Sequence, residues 1–176
     1  MFKNQIKLFF ILAIIAVLIG SIVFFQEGPL QGIIVTSIVL FFIFISVVIT
    51  GIDEYKTKKE LPTHKYKDPD SVSQYNTIEI PFSYEKTFKL CSEIADLISK
   101  KIEKEDSSSG EIIAKTPASW KGWGEKIKFK ITKLKNSKTK VKVSSEPLLR
   151  TTLCDSGKNL QNVEKVIRFL EKHKNI

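Results

Sequence analysis

Residues 125–144, EKIKFKITKLKNSKTKVKVS, alternate apolar and basic side chains on both sides of a central Asn-Ser. In an extended chain Ile127, Phe129 and Ile131 fall on one face, and Lys126, Lys128 and Lys130 on the other. After Asn136-Ser137 the apolar positions return as Val141 and Val143, with Lys140 and Lys142 opposite them. A period of two predicts strands over 125–135 and 138–144, paired as a hairpin with one face in a core and one in water. Such a hairpin is not stable alone, so the flanking sequence has to supply the rest of a layer.

Upstream, 111–115 (EIIAK), ended by Thr116-Pro117, and 76–80 (NTIEI), stopped by Pro81, read as two further strands. Between them, after Ser83 as N-cap, 84–103 places Phe88, Cys91, Ala95, Ile98 and Ile102 at spacings of 3, 4, 3 and 4, and Leu90, Ile94 and Leu97 widen the stripe. That is an amphipathic helix, broken by 105–110 (EDSSSG). Downstream, 148–153 (LLRTTL) offers a short edge strand. Residues 159–173 set Leu160, Val163, Val166, Ile167 and Leu170 on one side of a second helix, which starts near Asp155 or Asn159. The order predicts an α+β domain of two layers: an antiparallel sheet of four to five strands with two helices on one face.

The front of the chain follows a different rule. Residues 8–25 and 32–50 are uncharged runs of 18 and 19 residues. As helices each is about 27–28 Å long, close to the hydrocarbon thickness of a bilayer. Both are apolar all round, and no other segment has the surface to bury them. They predict a two-span transmembrane hairpin (residues 1–50), then a juxtamembrane linker (51–74) and a cytoplasmic domain (75–176). The first run ends in Val23-Phe24-Phe25-Gln26 without a small-x-small cleavage pattern, so it reads as a span and not a signal peptide. Lys3 and Lys7 precede the first span and Lys56, Lys58, Lys59, Lys65 and Lys67 follow the second, while the turn at 26–31 has neither Lys nor Arg. This places both termini in the cytoplasm and the chain in the inner (plasma) membrane. Neither span carries an ionisable residue, which removes the usual marker of a proton or ion path. Gly20, Ser21, Thr36, Ser37 and Ser46 suit helix packing, within the hairpin or between copies in a homo-oligomer. In residues 51–70 five lysines meet five acids, so the flank is neutral and reads as a spacer. As coil the linker reaches on the order of 25–30 Å; alternatively its first turn or two continue the second span as helix.

Little in the sequence suits catalysis. His64 lies in the linker and His173 near the C-terminus, Cys91 is on an apolar helical stripe, and Cys154 has no nearby histidine. There is no CxxC, no HExxH and no zinc spacing, so no metal, cofactor or catalytic set is expected. Residues 155–159 (DSGKN) have the Gly-Lys of a phosphate loop but lack its earlier glycine and its Ser or Thr. They read as a capped helix start, with Lys158 and Asn159 as candidate ligand contacts if an anion sits there. In 119–125 (SWKGWGE) both tryptophans of the chain stand three apart beside glycines. Trp120 and Trp123 either seal one end of the core or line a ligand or membrane-interface loop.

Charge is the third feature. Residues 121–142 hold nine lysines against Glu125, a net +8, and residues 51–176 sum to 26 − 18 = +8, so the hairpin carries the whole excess. Lys126, Lys128, Lys130, Lys140 and Lys142 are the expected anionic-surface residues. The two readings are a solvated face that prevents edge pairing and a surface for an anionic partner. For the second, anionic lipid is the nearest partner. Nucleic acid is disfavoured, since the patch has no arginine and Phe129 points away from the lysines.

The strings SWKGWGE and DSGKNLQNVEKVIRFL, on either side of the lysine strands, resemble a group of uncharacterised bacterial membrane-anchored proteins. In these a Ser-Trp-Lys-x-Trp-Gly-Glu segment precedes a hairpin and an Asp-x-Gly-Lys-Asn-x-x-Asn segment opens the last helix. The resemblance covers about residues 75–170 and implies a bacterial integral membrane protein, with no catalytic residue attached. The expectation is therefore a membrane-anchored binding module contacting anionic lipid. The alternative is a small membrane-surface enzyme or ligand-binding domain with a pocket near Trp120, Trp123 and 155–159.

Overall fold

A computed structural model describes residues 3–61, 66, 68, 71–99, 101–118, 123–153 and 155–174. The chain divides into two compact units, Met1–Lys56 and Thr57–Ile176.

The first unit is built on α1 (Lys3–Glu27) and α2 (Pro29–Glu60). Gly28 alone separates them, at φ 108°, where a residue with a Cβ would be strained. The helices then run back against each other with almost no space at two points. A Cβ on Gly20 would overlap the Thr36 hydroxyl, and one on Gly32 would lie 2.7 Å from the Phe24 Cβ. Thr36 turns its hydroxyl onto the Gly32 carbonyl (2.8 Å), so the contact leaves no polar atom unpaired. Elsewhere large apolar side chains face outward, Phe10, Ile14 and Phe42 being more than 60% exposed. Both helices are long and apolar enough to cross a membrane. α2 continues ten residues beyond the expected span end at residue 50, because no Pro follows until Pro62 and the intervening Glu and Lys residues favour helix. Residues 51–60, expected as linker, are therefore helical.

The second unit is the expected two-layer α+β domain. Its elements are β1 (Gln74–Ile80), α3 (Tyr84–Ser99), β2 (Ile102–Asp106), β3 (Glu111–Lys115), β4 (Glu125–Lys133), β5 (Thr139–Pro147) and α4 (Lys158–Lys174). The sheet order is β1-β5-β4-β3-β2, antiparallel throughout. α3 thus carries the chain from one edge of the sheet to the other. Ile112, Ala114, Ile127, Phe129, Val141 and Val143 on the inner face are fully buried against Cys91 and Ala95 of α3 and Val163, Val166 and Leu170 of α4. Each large apolar side chain so buried contributes about 1.5–3 kcal/mol.

Two elements differ from the sequence reading. The first helix stops at Ser99 and not near residue 103, because Ile102 reaches the core as the first residue of an added edge strand. The hairpin turn explains that strand. The Asp106 carboxylate accepts hydrogen bonds from the hydroxyls of Ser108 (2.6 Å) and Ser109 (2.8 Å), and Gly110 takes φ 68°. EDSSSG thus folds the chain back into β3, and the charges of 103–106 blunt the edge. Residues 148–153, expected as a strand, form turns instead: Pro147 ends β5 and the Thr152 N–H donates to the Leu149 carbonyl.

Candidate anion-binding surface

The outer face of the sheet carries Lys126, Lys128, Lys130, Lys140 and Lys142, as the alternation requires, but the register redistributes their charge. Directly across β4 and β5, only Lys130 meets Lys142; Lys128 faces Ser144, Lys140 faces Thr132, and Lys126 faces Glu146. The other strands bring acids to the same face. Glu111 of β3 stands opposite Lys130, and Glu79 of β1 opposite Lys140. Lys142 lies over the Tyr75 ring, 5.4 Å from its centroid. Lys128 pairs with Glu146 at 2.5 Å, Lys115 with Glu103 at 2.5 Å, and Lys104 with Glu111. These contacts hold the Glu103 and Glu111 carboxyls below their usual range, the lysine hydrogen bond being the largest cause in each. Part of the hairpin's lysine excess is thus met by Glu146 at the end of β5 and by Glu79 and Glu111 on neighbouring strands.

One end of this face is different. Beside the start of β4 and the end of β5 the surface dips into a cleft of about 450 Å³. Lys115, Lys126, Lys128 and Arg150 converge on it, with Glu146 as the acid in its wall and Leu148 and Leu149 as its apolar side. Lys115 and Lys126 are direct cross-strand partners, a like-charge placement that costs some tenths of a kcal/mol. The loop before β4 is pinned at its base: the Thr116 hydroxyl bonds the Glu125 carboxylate and accepts from the Glu125 N–H (2.8 Å). Gly124, at φ 90°, accepts from the Leu148 N–H (3.0 Å) and so ties this loop to the one after β5. Trp123 then projects outward, 72% exposed, and Leu149 and Leu153 of the second loop are exposed as well. For Trp123 the core-sealing alternative is therefore overturned. Trp120 and Cys154 lie outside the described residues.

The helix start at 155–159 is internal. The Asp155 carboxylate accepts from the N–H groups of Gly157 (3.1 Å) and Asn159 (2.9 Å) and from the Asn159 side chain (2.7 Å). A carboxylate of the chain thus already fills the place an anion would take at this helix end. Asn159 is fully buried, and its carbonyl accepts from the Ser145 hydroxyl (2.6 Å), which in turn accepts from Asn162 (3.2 Å). Asn159 thus forms a buried tie between α4 and β5, and Lys158 is half-buried at the first turn.

A second buried tie had no signal in the sequence. Tyr66 donates to Glu164 (2.8 Å), which also accepts from Arg168 (2.7 Å). Burial, then the Glu164 contact, raises the Tyr66 hydroxyl far above its ordinary value. Cys91 is a packed thiol pushed up to about 12 by burial, which leaves no thiolate for chemistry at neutral pH. Among the described residues no three His, Cys, Asp or Glu side chains gather to hold a metal.

No family model and no characterised protein matches the sequence. Among solved structures, a START superfamily protein from Mycobacterium smegmatis is similar at 17% identity and a TM-score of 0.32, over 57% of this chain and 98% of that one. Ara h 8.0201 is similar at 12% identity and a TM-score of 0.32, over 58% and 97%. Similarity at this level assigns neither a family nor a ligand.

Proposed function

We propose that the chain is an integral membrane protein, anchored by α1 and α2 with both termini in the cytoplasm, whose α+β domain docks on the anionic surface of its own membrane. The observation that carries this reading is the coincidence, at one end of the sheet, of exposed Trp123, Leu149 and Leu153 with Lys126 and Arg150. An amphipathic ring beside cations suits the headgroup layer, where a basic residue near the surface contributes about 1 kcal/mol. Lys130, Lys140 and Lys142, which face acids or an aromatic ring, have the lesser part in contact. The role is binding: what converges at this end is cations and apolar side chains.

The test uses the full chain with Trp120→Phe, so that Trp123 alone fluoresces, in nanodiscs carrying doxyl-labelled lipid. Discs containing phosphatidylglycerol should quench Trp123 strongly and phosphatidylcholine discs weakly. Equal quenching in both would end the docking reading.

A further inference from the structure

The cleft has a construction that docking on a diffusely charged surface does not need. Its cations come from three separate elements: Lys115 from β3, Lys126 and Lys128 from β4, and Arg150 from the loop after β5. They approach one concavity from different sides, and its volume of about 450 Å³ is in the range of small-ligand sites. Lys115 and Lys128 are each paired with one carboxylate, from Glu103 and Glu146. Lys126 stands between them, opposite Lys115 on one side and Glu146 on the other. Cations brought together in a concavity repel, and the low-dielectric walls strengthen both that repulsion and the attraction of an incoming anion. Leu148 and Leu149 add an apolar wall directly beside the charges.

We propose that this cleft is a discrete site for a phosphate monoester carrying an apolar group. The phosphate would lie among Lys126, Arg150, Lys128 and Lys115, and the apolar part along Leu148 and Leu149. Phosphate fits better than carboxylate because its peripheral oxygens point in several directions, as the donors of β3, β4 and the loop do, and because arginine pairs with it bidentately. Glu146 holds Lys128 when the site is empty, so a phosphate must compete with this carboxylate. The proposal rests on the docking reading for where the ligand comes from: a lipid headgroup and a free phosphate monoester share this chemistry.

The experiment uses the full Trp120→Phe chain in phosphatidylcholine nanodiscs and follows Trp123 emission. One arm titrates butyl phosphate, with inorganic phosphate beside it. The other uses discs containing a few per cent phosphatidic acid. A saturable response in the first arm identifies a soluble phosphate ligand, and one confined to the second a headgroup; both support the site. Lys126→Gln with Arg150→Gln should weaken it at least about tenfold. Glu146→Gln should tighten it a few-fold by removing the competitor. Lys140→Gln with Lys142→Gln should change it less than about twofold, since those lysines line no part of the cleft. No saturable response in either arm, or equal losses in the 126/150 and 140/142 pairs, would overturn the proposal. If doxyl quenching on phosphatidylglycerol discs persists meanwhile, docking stands and the discrete site fails. If butyl phosphate binds with the stated pattern but quenching is absent, the site stands and docking fails.

Discussion

The two faces of β4 are made by alternate residues of one nine-residue strand, and they answer to different physics. On the inner face Ile127, Phe129 and Ile131 are sealed between sheet and helices, and what matters is volume and shape. On the outer face Lys126, Lys128 and Lys130 are half-buried or exposed, and what matters is which charge each one meets across the sheet. Substitutions on the inner face should therefore change stability and leave binding intact in the molecules that still fold. Outer-face substitutions should do the reverse.

The largest effect belongs to the inner face. Phe129→Ala should cost about 3–5 kcal/mol in urea unfolding of the second unit's signal, since the ring is fully buried and its site cannot collapse between two packed layers. A loss below about 1 kcal/mol would mean that this face is not the core. Next comes the buried polar tie. Asn159→Ala takes the acceptor from the buried Ser145 hydroxyl and removes one of the hydrogen bonds to Asp155, and should cost about 1–3 kcal/mol. Ligand titrations of the folded variant should match the unmodified chain.

A pH effect separates the faces further. The Tyr66 hydroxyl has a raised value when folded against an ordinary 10.0, so the unfolded chain releases this proton first. Its contribution is complete below about pH 10 and is lost as pH rises beyond it. Tyr66→Phe should flatten that alkaline loss in a stability–pH profile; an unchanged slope would remove Tyr66 as its source. The smallest stability effect belongs to the outer face. Lys128→Gln, Lys130→Gln and Lys140→Gln together should stay within about 0.5 kcal/mol of the starting stability. Lysine–lysine repulsion across the strands, taken by itself, would make the triple change a gain in stability. With Glu146, Glu111 and Glu79 facing these three, that gain is largely cancelled by lost attractions.

The layered architecture was legible because period-2 and period-3.6 patterns are local. Ile127/Phe129/Ile131 and Leu160/Val163/Val166/Ile167/Leu170 predict their buried faces directly, and those residues form the core. β2 was not legible. Ile98 and Ile102 fit a helical spacing, and only the turn held by Asp106 decides for a strand. Leu97, read as part of the helical stripe, is 72% exposed in the last turn of α3. The outer face was half legible: the lysines stood out, but apart from Glu146 of β5 their acids come from β1, β2 and β3, and strand order is not written in any one segment. The cleft was least legible, since Lys115, Lys126 and Arg150 meet only through the register of three elements. Its nearest sequence signal was Arg150, the lone arginine of residues 75–160, in a stretch read as a strand.

Topology is the premise beneath the docking reading. A cysteine introduced at Glu27 should react with an impermeant maleimide from outside intact cells, and one at Lys135 only after lysis. Labelling of Lys135→Cys from outside would place the domain on the other side of the membrane.

The most direct test of the central claim is doxyl quenching of Trp123 in phosphatidylglycerol nanodiscs, read as salt is raised from about 10 to about 150 mM. The screening length then shrinks from about 30 to about 8 Å. The account predicts strong quenching at low salt that falls steeply, and that is mostly lost at low salt in the Lys126→Gln, Arg150→Gln chain while its unfolding midpoint is unchanged. Quenching that ignores both salt and this pair of substitutions would contradict it and leave the lysines as a solvated face.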